Sequence, residues 1–130
     1  MNTRIIKKAI QIAHKSDMHP FKVGAVIFKN NRIISFGYNS KRFCGKIHPK
    51  YRSQYDSLHA EQDAILNVKD WSKLSSSSIL VIRITRSGNI SMAKPCDMCM
   101  SMIQHVGLKE IYYSNHDGEI IKEKIWLREI

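Results

Sequence analysis

The sequence predicts an α/β sandwich, a mixed β-sheet with helices on its faces. Two observations carry this. Two apolar, β-rich runs lie back to back near the N-terminus around Lys29-Asn30-Asn31, the pattern of a short hairpin. Helix-period segments alternate with strand-like runs from there on, which is the pattern of parallel crossovers. No stretch approaches the ~18 consecutive apolar residues of a membrane span, because Lys or Arg interrupts every apolar run.

Each element follows from its own pattern. Ile5, Ile6, Ala9, Ile10 and Ala13 recur every three or four residues, so residues 3–16 read as an amphipathic helix with Lys7, Lys8 and Lys15 outward. Val23–Phe28 and Arg32–Tyr38 form the hairpin. Asn39 to Asp56 is irregular and longer than a usual connection, which suggests a functional loop or lid. A second helix is expected from a cap near Ser57 to about Lys69. Ile79–Thr85 reads as a buried strand and Arg86-Ser87-Gly88-Asn89 as a turn, after which Ile90–Lys94 leads into Pro95. Pro95 opens a third helix that Gly107 is placed to end. Lys109–Ser114 is a further strand, and Gly118–Ile130 fits helix and strand templates equally imperfectly.

Composition bounds the function. The 130 residues, 43% hydrophobic and 25% charged, suit one folded domain with a core that needs no disulfide staples. Gly and Pro together number 9, which excludes collagen-like repeats and a disordered tract. The formal charge is +10, and residues 1–55 carry +11 of it while residues 56–130 carry −1. Such asymmetry suggests a polyanionic partner or a phosphorylated substrate, unless the charges merely solubilise one face. Cys44, Cys96 and Cys99 are too few and odd in number for a secreted disulfide framework, and no secretory signal precedes them. A cytoplasmic location is expected.

The chemistry-bearing pattern is His59-Ala60-Glu61 at one predicted helix start and Pro95-Cys96-Asp97-Met98-Cys99 at another. Each half alone is weak, since Cys-x-x-Cys also serves as a redox pair and a lone His is commonly structural. Together they offer one imidazole and two thiolates to Zn²⁺ and leave a fourth tetrahedral position for water, the pattern of a catalytic site. Both ligand groups sit in first helical turns, where the macrodipole favours the thiolate form of Cys96 and Cys99. Zinc brings the pKa of water to about 7, and Glu61, two residues from His59, is placed to take that proton and return it to a ring nitrogen and a leaving amine. His-x-Glu with Pro-Cys-x-x-Cys is the zinc nucleobase deaminase signature.

On these motifs the sequence resembles the cytidine/deoxycytidylate deaminase superfamily from the first helix to about Ser114. The likeness includes Phe21-Lys22-Val23-Gly24-Ala25-Val26 and Gly37-Tyr38-Asn39. His59 in place of a third Cys resembles the deoxycytidylate, transfer-RNA adenosine and polynucleotide cytosine deaminases. Gly37-Tyr38-Asn39, the long loop before His59 and Lys109-Glu110-Ile111-Tyr112-Tyr113-Ser114 look most like the deoxycytidylate (dCMP) branch. The resemblance implies a three-layer α/β/α fold with a mixed central sheet of about five strands. It implies one catalytic Zn²⁺ on His59, Cys96 and Cys99, with Glu61 as the proton carrier. It also implies substrate contacts from Asn39, which would meet the sugar, from the backbone near Ala60 and Cys96, and more weakly from Phe21 and Val23. Lys41, Arg42, Lys46 or Arg52 would meet a phosphate. Two positions depart from the pattern: Met92-Ala93-Lys94 stands where relatives carry Thr and often an acid, and Asp63 stands where dCMP enzymes often carry Asn.

The expected activity is hydrolytic deamination of a cytosine nucleotide, dCMP to dUMP, with release of ammonia. The alternatives are a deaminase acting on polynucleotides, with cytosine in single-stranded DNA or RNA or adenosine in transfer RNA as target, and a non-catalytic zinc-stabilised module. Tyr51 and Tyr55 could stack bases in the polynucleotide case. Cys44 and His48 could host a second zinc, as in some dCMP deaminases. The partners expected are a pyrimidine nucleotide or single-stranded nucleic acid, no membrane, and further copies of the chain in a homo-oligomer.

Overall fold

The computed structural model describes residues 1–18, 21–41 and 57–125. Its elements are α1 (Thr3–Ala13), β1 (Lys22–Lys29), β2 (Arg32–Tyr38), α2 (Ala60–Leu66), β3 (Ser78–Ile84), β4 (Ile90–Ser91), α3 (Asp97–His105), β5 (Glu110–Ser114) and β6 (Ile120–Lys124). They form a six-stranded mixed sheet ordered β2-β1-β3-β5-β6, with the short β4 paired to β3. The expected five strands become six because Ile90–Ser91 pairs with Arg83 and Ile84 before the chain reaches Pro95.

The hairpin joins β1 to β2 antiparallel, and its turn residues Asn30 and Asn31 take φ of 50° and 65°. Two left-handed residues match the right-handed strand twist, and Asn tolerates that backbone better than most side chains. Because β3 is also antiparallel to β1, β2 and β3 run the same way across it; β5 then lies parallel beside β3. The two helical crossovers therefore give three co-directional strands, of which β3 and β5 alone are hydrogen-bonded neighbours.

The sheet separates two cores. On one face α1 buries Ile5, Ala9 and Ala13 against Val26, Phe28, Leu80, Ile82 and Ile84. On the other, α2 and α3 bury Ala60, Ala64, Ile65, Met102 and Ile103 against Ala25, Ile27, Ile79, Val81 and Ile111. Period-two alternation along β3 sends neighbours to opposite cores. Each fully buried aliphatic side chain contributes about 1.5–3 kcal/mol. Both helical layers approach the strands closely. A Cβ on Gly24 would stand 2.2 Å from the Ala9 carbonyl oxygen, and one on Gly37 would stand 2.3 Å from the Ala64 nitrogen.

Several boundaries differ from the sequence-based expectation. The first helix stops at Ala13 and not residue 16, the His14 N–H closing on the Ile10 carbonyl and Ser16 turning to hold Asn39. The second helix is shorter at both ends: His59, not Ser57, is its N-cap, and the Gln62 side chain accepts the His59 N–H at 3.0 Å. After Leu66 a separate 3₁₀ turn, Trp71–Leu74, is started by Asp70, whose carboxylate accepts the Ser72 N–H. Pro95 lies outside the third helix, with Cys96 as N-cap and Asp97 as first helical residue. The tail resolves to strand over Ile120–Lys124, paired antiparallel with β5. Residues 126–130 lie outside the described part. No helix among the described residues is long and apolar enough to cross a membrane.

Candidate active site

The C-terminal ends of β2, β3 and β5 and the start of β1 lie at one end of the sheet, and the α2 and α3 N-termini open beside them. Asn39 leaves β2, and the bridge between Ser40 and Leu58 returns the chain immediately before His59. The α3 side is fixed by β5. The Ala93 N–H bonds the Ser114 carbonyl at 2.9 Å, and the Ser114 hydroxyl donates to the Ser91 carbonyl at 2.7 Å. Buried Ala93 and Pro95 then deliver Cys96 to the helix start.

His59, Cys96 and Cys99 converge, with their ligand atoms all within 4.8 Å of one another. His59 Nδ1 is 3.2 Å from the Cys99 sulfur and 3.8 Å from the Cys96 sulfur. Tetrahedral zinc with ordinary bond lengths needs nitrogen–sulfur separations of roughly 3.6 Å, so the donor set fits that ion in type and spacing. Cys99 is buried and Cys96 exposed, so the cluster is open on one side. Among the side chains themselves, hydrogen bonds from Cys99 and His59 hold the Cys96 thiol down to about 3. The bond to Cys96 raises His59, while the Cys99 thiol is raised by its bond to Cys96 and by burial.

Glu61 lies on the first turn of α2 and is 6% exposed. Burial pushes its pKa above the usual carboxylate range, against the opposing effects of backbone hydrogen bonding, nearby His59 and a hydrogen bond with Cys99. It is the buried carboxylate within reach of the metal cluster. Asp63, in the same first turn of α2, accepts the Tyr38 N–H at 3.1 Å and thereby ties α2 to the end of β2.

The other expected contacts are placed as follows. Asn39 sits at the same end of the sheet, its amide accepting from the Val23 N–H at 2.9 Å and donating to the Phe21 carbonyl at 3.0 Å. By valence one N–H and one lone pair remain to it. Ala60 is buried in the core at the first position of α2. Phe21 is 44% exposed, with the Arg83 guanidinium 3.5 Å from its ring centroid. Val23 is half-buried beside Arg83, and Lys41 is exposed, its N–H bonded to Asp17. Arg42, Cys44, Lys46, His48, Tyr51, Arg52 and Tyr55 lie outside the described residues.

Two features were missed by sequence reasoning. Arg83 projects on the α2/α3 face at the end of β3 and donates to the Met92 carbonyl at 3.4 Å, bracing the segment before Cys96. A cation inside the run Ile79–Ile84 was the available signal. The second is Glu123 on β6, which accepts from Tyr113 at 2.7 Å and pairs with Lys94 at 3.3 Å. Nothing local in the sequence marks that pairing.

An α/β/α sandwich with a His–Cys–Cys cluster and a buried glutamate at paired helix starts defines a zinc-dependent deaminase. The chain belongs to the cytidine and deoxycytidylate deaminase family: the model for the cytidine and deoxycytidylate deaminase zinc-binding region matches residues 1–115. Among solved structures it is similar to the dCMP deaminase of cyanophage S-TIM5 in apo form, with 25% identity, a TM-score of 0.63, and coverage of 88% of this chain and 82% of that one. The cytidine deaminase of Burkholderia pseudomallei shares the fold at 18% identity and a TM-score of 0.67, covering 96% of this chain and 93% of that one. A bifunctional deaminase/reductase of Thermotoga maritima, matched over 88% of this chain but 29% of its own length, shows the fold at 21% identity and a TM-score of 0.56. A search of curated proteins gives no significant match.

Proposed function

We propose that the protein converts a cytosine nucleotide of the dCMP type to the corresponding uracil nucleotide and ammonia. The observation that carries the chemistry is buried Glu61 beside the His59–Cys96–Cys99 cluster. The 25% identity to a phage dCMP deaminase supports the nucleotide assignment. His59, Cys96 and Cys99 would hold the zinc ion, which when bound supplies the Lewis acidity that lets water ionise near neutral pH.

This chain's residues do the rest. Glu61 takes one proton from the attacking water and passes it to the ring nitrogen, then takes the second from the added hydroxyl and delivers it to the departing amine, so the carbon–nitrogen bond breaks, the carbonyl forms and ammonia leaves. Its raised pKa suits a group that must hold a proton between these transfers. The remaining N–H and lone pair of Asn39 face a sugar hydroxyl, and the α2 start at Ala60 approaches the base. Phe21 walls the pocket, while Lys41 and Arg42 meet the phosphate. The charge asymmetry of the sequence favours the polynucleotide reading as second choice.

The test is product detection from zinc-loaded protein given dCMP, cytidine, or a cytosine-containing single-stranded oligonucleotide at matched cytosine concentration. Ammonia and dUMP from dCMP, with cytidine turned over far more slowly, is the expected result. Deamination confined to the oligonucleotide overturns the nucleotide assignment.

A further inference from the structure

Among the described residues, five basic side chains of the first half of the chain, Arg4, Lys7, Lys8, Lys29 and Arg32, gather away from the chemistry. Two recesses flank the β1–β2 hairpin and meet at Ile33. One, of about 560 Å³, is lined by Arg4, Lys7 and Lys8 of α1; the other, of about 490 Å³, by Lys29, Arg32 and Lys73. Neither lining includes an acidic side chain. The Arg4 guanidinium donates to the Asn31 carbonyl, so helix and hairpin form one continuous surface. The hairpin turn and the catalytic cluster are at opposite ends of β2, whose seven residues span roughly 20 Å.

Exposed aromatic rings border this basic band. Phe36 on edge strand β2 is 37% exposed, with the Lys8 ammonium 4.6 Å from its ring centroid. Asn67 at the end of α2 donates to the Phe36 carbonyl, and the chain then turns into Trp71, 50% exposed and two residues before Lys73. Asp70, the acid beside this tryptophan, is occupied by the Ser72 N–H and hydroxyl. Cations that track a phosphate backbone, interleaved with ring faces that take unstacked bases, suit single-stranded nucleic acid. A duplex hides its base faces, whereas a single strand offers both the phosphates that the cations meet and the base faces that the rings can stack on.

We propose that the band formed by Arg4, Lys7, Lys8, Lys29, Arg32 and Lys73, with Phe36 and Trp71, is a docking surface for single-stranded nucleic acid, separate from the deaminase site. It holds the enzyme on a strand whether or not that strand supplies the reacting base, and it does not depend on the nucleotide assignment above.

The test is fluorescence anisotropy of a labelled oligothymidylate of about twenty nucleotides with the full zinc-loaded chain. The probe lacks cytosine, so binding is read without turnover. Affinity should fall steeply as salt is raised. The double variant Lys7→Ala/Arg32→Ala should lower the log–log salt slope by about 1.4 and weaken binding about tenfold, each phosphate contact contributing about 0.7 to the slope. Lys15→Ala/Lys109→Ala removes the same charge from outside the band and should leave the slope unchanged. Trp71→Ala should weaken binding about fivefold or more, with Trp71→Phe restoring most of it. Equal losses in the two double variants overturn the proposal. So does a duplex of the same length that binds as tightly as the single strand while Trp71→Ala has no effect, which would assign the band to a partner without exposed bases.

Discussion

His59 Nδ1 stands 3.2 Å from the Cys99 sulfur although 40 positions separate the two residues in sequence. The contact joins the starts of two helices that make little other approach to each other, so the metal cluster is also a tertiary fastening. Removing one donor should therefore affect stability as well as metal content. Cys99→Ser is expected to leave zinc below stoichiometric after dialysis and to abolish the rise in melting temperature that zinc gives the wild type, read by metal analysis and thermal melts. A variant retaining full zinc and an unchanged melt would remove Cys99 from the ligand set.

Glu61→Gln keeps the shape and burial of the side chain but cannot carry the proton. Turnover should fall by about 10²–10⁴-fold while bound zinc is unchanged. Near-normal turnover would reject Glu61 as the proton carrier.

Gly37 has no room for a methyl group against α2, where the Ala64 nitrogen would be 2.3 Å from the new carbon and Asp63 Cβ 2.7 Å. Gly37→Ala should cost ~3 kcal/mol in a denaturant titration and weaken zinc retention, because α2 carries His59 and Glu61. A cost below about 1 kcal/mol would show that the helix can move away freely.

The Tyr113–Glu123 hydrogen bond sets a pH window at each end. It holds the Glu123 carboxyl below its ordinary value of 4.5, with Lys94 assisting, so the stability it contributes is present above that value and is lost as pH falls through the lower folded-state value. The same bond pushes Tyr113 up to about 12, so its contribution is present below pH 10 and lost as pH rises through about 12. Phenolate absorbance should show one tyrosine titrating near 12, and Glu123→Gln should flatten the fall in melting temperature below about pH 4.5. If all tyrosines titrate together near 10, the bond does not persist in solution.

The parts of the fold written in local periodicity could be read in the sequence. Apolar, β-rich runs defined the hairpin and β3, and Pro95 and Gly107 bracketed α3. The zinc ligands were legible because motif chemistry is local within each helix start. Long-range effects were not. Ser57 looked like a cap, but the bridge between Ser40 and Leu58 moves the helix start to His59. Ile120, Ile121 and Ile125 fit two templates until β5 offered an open edge to pair with. Asn39 was read for the sugar alone, whereas the fold first uses its amide to hold β1. Whether the basic residues cluster was likewise undecidable before α1 and the hairpin were seen together.

The family match ends at residue 115, before β6 begins at Ile120. Yet Glu123 on that strand anchors Lys94, two residues from Cys96, and Tyr113 of β5. The boundary of the family match and the boundary of the sheet therefore do not coincide in this chain. Trimming it to its recognisable part would discard the counter-ion that steadies the approach to the metal, and graft or minimisation schemes drawn from sequence likeness alone would cut through the site's own scaffold.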